Sequence, residues 1–226
     1  KYITVMGNKN VGFSISQGRS TGDPTGGNWH LDDNGNLDNA DLISGLNIIV
    51  DGTNNVGFYR NPNYSGPNHT AMTLNNSKIG TFGFSTSTTN RTLYKSHRDE
   101  IILDNSLTFF INTGGNGNSL MQAGSSSSLS SVGTVTNNAN VTSNIDKFYA
   151  LTSGDFSSSI GATANNGGTL NLTGKDNVGI AIASGNTGTN TGTIKLTGDG
   201  STAIYNKVTF TSTNGNIEVG NTSTRV

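Results

Sequence analysis

The chain has 226 residues, with 31 glycines, three prolines, no cysteine, 12% charged and 31% hydrophobic residues, and a formal net charge of -1. Asn, Ser, Thr and Gly fill more than half of the positions, too many to leave material for a thick multilayer α/β core; few charges and regular Val, Ile, Leu and Phe exclude a charged disordered chain. The near-neutral balance argues against nucleic-acid and anionic-membrane partners, no run approaches the ~18 apolar residues of a membrane-spanning helix, and the absence of cysteine removes disulfide scaffolds and thiolate metal sites.

The first residues, KYITV, read as a strand already under way, with no basic leader or apolar signal core, so the expectation is a segment excised or processed from something longer. Residues 3–13, ITVMGNKNVGF, introduce a pattern that returns at 48–58 (IIVDGTNNVGF), 170–180 (LNLTGKDNVGI) and 194–204 (IKLTGDGSTAI). Two alternating apolar positions are followed by Gly, three mostly polar residues, a small or β-branched residue, a small residue and an apolar one. Within each copy the period is 2, the signature of strand. Val11, Phe13 and Ile15 are expected on one face against Gly12, Ser14 and Ser16; Val178, Ile180 and Ile182 stand in the same way against Gly179, Ala181 and Ala183. Gly7, Gly52, Gly174 and Gly198 occupy the turn, where glycine supplies positive φ at no steric cost. Asn10, Asn55 and Asn177 precede the second strand at one fixed place, which suits a corner residue that tolerates the left-handed region.

Segment 16–45, too polar for core strand and too long for a corner, reads as a loop excursion. It holds Trp29, His30 and the string LDDNGNLDNAD, in which Asp32, Asn34, Asn36 and Asp38 alternate as in a calcium loop. Leu37 replaces the required glycine and Ile43 the closing Glu, so solvated turn residues compete with calcium there. A second excursion, 59–73, carries Arg60, Tyr64 and the turn-forming Asn-Pro and Gly-Pro steps. A third, 91–100 (RTLYKSHRDE), has the densest charge and contains Tyr94, His97 and Arg98. Trp, Tyr and Arg are the types enriched where proteins meet partners, and loops on a rigid scaffold are the usual place for contact. Trp29, His30, Arg60, Tyr64, Tyr94, His97 and Arg98 therefore form the candidate binding set. Residues 111–226 read as a more regular ladder.

A unit of two or three short strands cannot bury its apolar side alone and must stack on its neighbours. The steps between copies, 45 residues from Val11 to Val56, 26 on to Phe82, 96 from there to Val178 and 24 to Thr202, are close to multiples of 23 to 24. The expected fold is all-β, a right-handed parallel β-helix of about nine coils. An antiparallel β-sandwich leaves the repeat unexplained, and a trimeric fibre usually has shorter repeats.

Catalytic chemistry finds little footing. Gly154-Asp155-Phe156-Ser157 does not match the nucleophile motif of chymotrypsin-like proteases, and the adjacent acid pairs Asp32–Asp33 and Asp99–Glu100 face opposite ways if they lie on strands. The expectation is that the chain is not an enzyme.

The run LTGKDNVGIAIASGNTGTNTGTIKLTGDGSTAIYN resembles passenger repeats of the large autotransporter adhesins of fusobacteria, the RadD-type outer-membrane proteins. The likeness is clear over 166–220, good over 1–15 and 46–59, and poor between 60 and 150. It implies a β-helical passenger exported through an outer-membrane barrel and displayed on the cell surface, where it mediates coaggregation or host-cell attachment to a surface protein or glycan. It also implies further β-helix and a C-terminal barrel beyond this segment, which would not itself enter the membrane, and it gives a reason for zero cysteine, since a passenger must stay unbridged to thread a pore. The rival readings are a structural stalk and a β-helical polysaccharide lyase or hydrolase.

Overall fold

The computed structural model describes residues 2–6, 11–15, 46–50, 56–60, 72–74, 79–84, 92–97, 99–124, 133–154, 161–207 and 209–220. Among them are 21 strands and no helix. In chain order these are β1 (Tyr2–Val5), β2 (Val11–Ile15), β3 (Leu46–Val50), β4 (Val56–Arg60), β5 (Met72–Leu74), β6 (Ile79–Phe84), β7 (Thr92–Ser96), β8 (Asp99–Leu103), β9 (Thr108–Ile111), β10 (Ser119–Ala123), β11 (Gly133–Asn137), β12 (Asn140–Ser143), β13 (Tyr149–Ser153) and β14 (Thr163–Asn166). The rest are β15 (Thr169–Leu172), β16 (Val178–Ile182), β17 (Thr187–Asn190), β18 (Thr193–Leu196), β19 (Thr202–Asn206), β20 (Thr209–Ser212) and β21 (Asn216–Val219).

From β3 onward each strand stacks, in parallel, on or against the third one after it, while β1 and β2 stack on β3 and β4. The second face runs β2-β4-β7-β10-β13-β16-β19 and the third runs β5-β8-β11-β14-β17-β20. The first face is built from two ladders, β1-β3-β6 and β9-β12-β15-β18-β21, with β6 lying against β9. Each crossover between stacked strands takes the right-handed sense that parallel connections favour, and the product is a right-handed parallel β-helix. The described strands make seven turns and the opening strand of an eighth.

Register fixes the length of each coil, and the length is not constant. On the first face Leu170 pairs with Ile194 and Ile194 with Ile217, steps of 24 and 23 residues. On the second face Phe13, Phe58, Tyr94, Met121, Leu151, Ile180 and Ile204 are successive register partners, those from Phe58 to Ile180 being buried, and only the last step is 24. The 45 residues between Val11 and Val56, expected as two units, are one coil, because those two valines are direct partners. Phe82, expected to occupy the place of Val56, pairs with Ile48 on the first face instead. A tube accepts surplus residues at a corner without losing strand pairing, so near-multiples of a short repeat overstate the number of coils.

Burial corrects the expected alternation. Gly179, Ile180, Ala181 and Ile182 are all buried, Val178 is half-buried, and Val11 is 42% exposed. The ladder skips the second strand residue at this point, pairing Val178 with Thr202 and then Ile180 with Ile204. Two successive residues therefore turn inward at the NVG-apolar step. A Cβ added to Gly179 would sit 2.5 Å from the Ala203 carbonyl oxygen, so glycine is needed for close approach. Gly174 and Gly198 have the same cause: neither has positive φ, and a Cβ on Gly198 would stand 1.8 Å from the Gly174 oxygen in the coil below. Gly7 and Gly52 lie outside the described residues.

The core consists of stacked inward columns. Leu93, Tyr94, Ile101, Leu120, Met121, Leu151, Leu170, Ile180 and Ile194 are fully buried. The longer coils carry rings: Tyr94 stands 6.2 Å from Phe58 and 6.0 Å, edge-on, from Phe109. The shorter coils are mostly aliphatic, with Phe210 packed against the end of the core.

Buried asparagines complete the structure. Asn137, Asn166 and Asn190 end β11, β14 and β17 and are almost wholly inaccessible. Asn137 donates to Asn166 Oδ1 at 2.9 Å and Asn166 to Asn190 Oδ1 at 2.8 Å. Each amide also donates across its own corner, to the carbonyls of Ala139, Gly168 and Gly192. At the head of the ladder, opposite Leu103, Asn137 Oδ1 accepts no hydrogen bond among the described residues. Asn177 behaves differently from the expectation. The left-handed residue at its corner is Asp176 (φ 54°), while Asn177 is buried and accepts the Phe148 N–H at 2.8 Å from the neighbouring coil. Asn10 and Asn55 lie outside the described residues.

Candidate recognition corner

The longest connections share one point of departure. Segments 16–45, 61–71, 125–132 and 155–160 begin directly after, or one residue beyond, β2, β4, β10 and β13, all strands of the second face. The last residues of those strands are register partners: Ile15 with Arg60, Arg60 with Ser96, Ser96 with Ala123, and Ala123 with Ser153. The exits are therefore stacked in one column at the strand spacing of ~4.8 Å.

The backbone beneath this corner is continuous whatever follows it. Gly124 N–H donates to Ser96 O at 2.7 Å, Gly154 N–H to Ala123 O at 2.7 Å, Ala183 N–H to Ser153 O at 3.0 Å and Lys207 N–H to Ile182 O at 3.2 Å. Gly133 N–H closes the base of segment 125–132 on Gly124 O at 2.9 Å. Satisfied donors and acceptors on both sides of an insertion let its length vary without strain in the ladder.

The candidate binding residues distribute unevenly over this frame. Trp29, His30, Tyr64 and Arg98 lie outside the described residues, as do the calcium candidates Asp32, Asn34, Asn36 and Asp38. Arg60 closes β4 at the exit column. His97 follows β7 at the same corner, half-buried, with its ring 6.3 Å from that of Tyr59 and tilted by 52°. Residues 91–100, expected as an excursion, contain β7 and the start of β8 instead, and 59–60 and 72–73 likewise belong to strands. Tyr94 is removed from the candidate surface: it points inward between Phe58 and Phe109 and has no exposed area. Charge density made the segment look solvated, but within β7 the half-buried Lys95 follows Leu93 and Tyr94, which are core.

Burial pushes the Tyr94 phenol well above its ordinary pKa, because the phenolate would lose its water. The unfolded chain, titrating near pH 10, then releases this proton before the folded one does, so the contribution is intact below about pH 10 and lost as pH rises further. Tyr94→Phe is expected to move the alkaline unfolding midpoint upward, read by circular dichroism against pH; an unchanged midpoint would show that Tyr94 does not drive that transition. Asp104 is shifted the other way: the Ser106 backbone N–H at 2.9 Å holds its carboxyl below the ordinary value.

The outer side of the third face is a closed polar array. Thr136 donates to Glu100 and Asn165 to Thr136, Thr189 donates to Asn165 at 2.7 Å, and Thr163 and Thr187 share a 2.9 Å bond. Among the described residues no three His, Asp or Glu side chains are placed to hold a metal ion. Sequence reasoning missed Tyr59 and Lys95 as corner residues, though the NVGF repeat fixed Tyr59 one place beyond Phe58. It also missed the asparagine ladder, whose trace is the N-x-G-T spelling at 166–169 and 190–193. The sequence matches no family model, and comparison with curated proteins and with solved structures finds no match.

Proposed function

We propose that the chain is a passenger segment of a cell-surface adhesin, in which the β-helix is scaffold and one corner carries the contact segments. The observation that supports this is the stacked column of exits from Ile15 to Ser153. Insertions that served only to fill space would have no reason to share a corner, whereas insertions that meet one partner must face one way. The resemblance of the NVG-apolar repeats to fusobacterial autotransporter passengers agrees with display at the outer membrane and with a partner on another bacterium or a host cell, a surface protein or a glycan. In this reading the chain binds and does not catalyse.

A stalk is the second reading, favoured by the short, uninterrupted coils from 161 to 207. The two separate on deletion of 16–45 with Ile15 joined to Leu46 through a short glycine linker. Loss of attachment of the bead-coupled chain to target cells, with the β-sheet circular dichroism spectrum retained, is the expected result. Unchanged attachment assigns the segment to a stalk.

A further inference from the structure

The dipeptide Asn-Gly occurs at 34–35, 116–117, 166–167 and 214–215, and the first of these lies outside the described residues. It is the step at which an asparagine side chain converts most readily without an enzyme, because glycine sets no Cβ beside the backbone nitrogen that attacks the amide carbon. Two groups decide whether it does so, that N–H and the carboxamide, and the three described copies hold them differently. At 166–167 both are engaged: Asn166 is a buried rung of the asparagine ladder, and Gly167 N–H donates to Asn137 O at 2.8 Å. At 116–117 the N–H alone is held. Asn116 is exposed, and Gly117 N–H donates to Lys147 O at 2.9 Å. At 214–215 Asn214 is again exposed, and neither its carboxamide nor Gly215 N–H makes a hydrogen bond among the described residues.

Register is the reason. The ladder position after Asn190 belongs to Ser212, so Asn214 is not a rung. The corners 138–139, 167–168 and 191–192 hold two residues between their strands, whereas 213–215 holds three. The surplus residue carries the Asn-Gly step out of the buried column and into the corner between β20 and β21. There Asn214 takes a left-handed φ of 58°, which asparagine tolerates.

We infer that Asn214 is a site of spontaneous modification, in which the side-chain amide is lost and a carboxylate takes its place. The Gly215 nitrogen gives up its proton to solvent base and bonds to Asn214 Cγ; the Cγ–Nδ2 bond breaks and ammonia leaves. Water then opens the cyclic imide at either carbonyl, giving aspartate or isoaspartate. Both products put a negative charge at the entry to β21, just before the Asn216 N–H to Gly192 O bond of 2.9 Å, and isoaspartate adds a methylene to the backbone as well. The same conversion at Asn166 would place a carboxylate inside the ladder, and the bonds that hold that rung oppose it. The inference is independent of what the exit column meets.

The test is peptide mapping by mass spectrometry of the 226-residue chain incubated at mildly alkaline pH, folded and in urea, with isoaspartyl methyltransferase labelling to detect isoaspartate. In the folded chain Asn116 is expected to convert about fivefold or more slowly than Asn214, since one hydrogen bond must open first. Asn166 should be slower by about a hundredfold or more, since its rung must open too. In urea the three should convert at comparable rates. Equal conversion of Asn214 and Asn166 in the folded chain overturns the inference, as does an order that persists in urea or the absence of conversion at Asn214.

Discussion

Asn166→Ala is expected to destabilise the chain by about 3 kcal/mol, more than most single changes on so polar a scaffold. Asn166 is the middle rung of the buried ladder: its oxygen accepts from Asn137 and its amide donates to Asn190 and to the Gly168 carbonyl. Removing it leaves the Asn190 oxygen and the Gly168 carbonyl without that donor and opens a void between coils. Asn165→Ala, one residue away on the outer side, gives up bonds to Thr136 and Thr189 that water can replace, and should cost within about 1 kcal/mol. Urea midpoints for the two variants provide the comparison. Equal midpoints would mean that the ladder merely accompanies the stacked strands and adds nothing to their stability.

Gly198→Ala is expected to cost about 3 kcal/mol through overpacking. The added methyl would fall 1.8 Å from the Gly174 oxygen and 2.4 Å from its carbon, and neither is the end of a side chain that can rotate away. Relief requires the corner of one coil to lift from the coil below, which stretches the adjacent Thr197 N–H to Leu172 O bond. Gly124→Ala is the matched control, because its nearest contacts, at 3.4 Å and beyond, are mostly to side chains; it should remain within about 1 kcal/mol of the parent. Thermal midpoints that move equally in the two variants would contradict the stacking account.

Much of the architecture was legible in the sequence, and the reason is periodic pairing. In a parallel solenoid the residue one coil away does the same job, so Ile194 and Ile217, or Val178 and Thr202, announce their registry by spacing alone. The coil length was less legible because strand pairing is indifferent to what lies between strands: the ladder joins Val11 to Val56 as readily as Ile194 to Ile217. Local chemistry misled where a residue type has two physical uses. Glycine serves both positive φ and close approach, and Gly174 and Gly198 serve the second. Tyrosine serves both interfaces and cores, and Tyr94, in a strand dense with charge, serves the core. The corner at Ser96 and Gly124 left no signal in the one-dimensional string, since it exists only once strands separated by 27 to 45 residues have been laid side by side.

The unequal coils have a mechanical meaning. Each turn of the helix raises the axis by one strand spacing, ~4.8 Å, whether it spans the 22 residues from Gly188 to Phe210 or the 45 from Phe13 to Phe58. Axial height therefore counts turns, and residues added at a corner lengthen nothing. Seven turns give a column of about 34 Å from strand spacing alone, and the segment 16–45 contributes none of it. A rod selected for reach would keep every coil near the minimum found after residue 161. This chain instead has its longest turns in the coils that bear the exit column, and its rise per residue is lowest there.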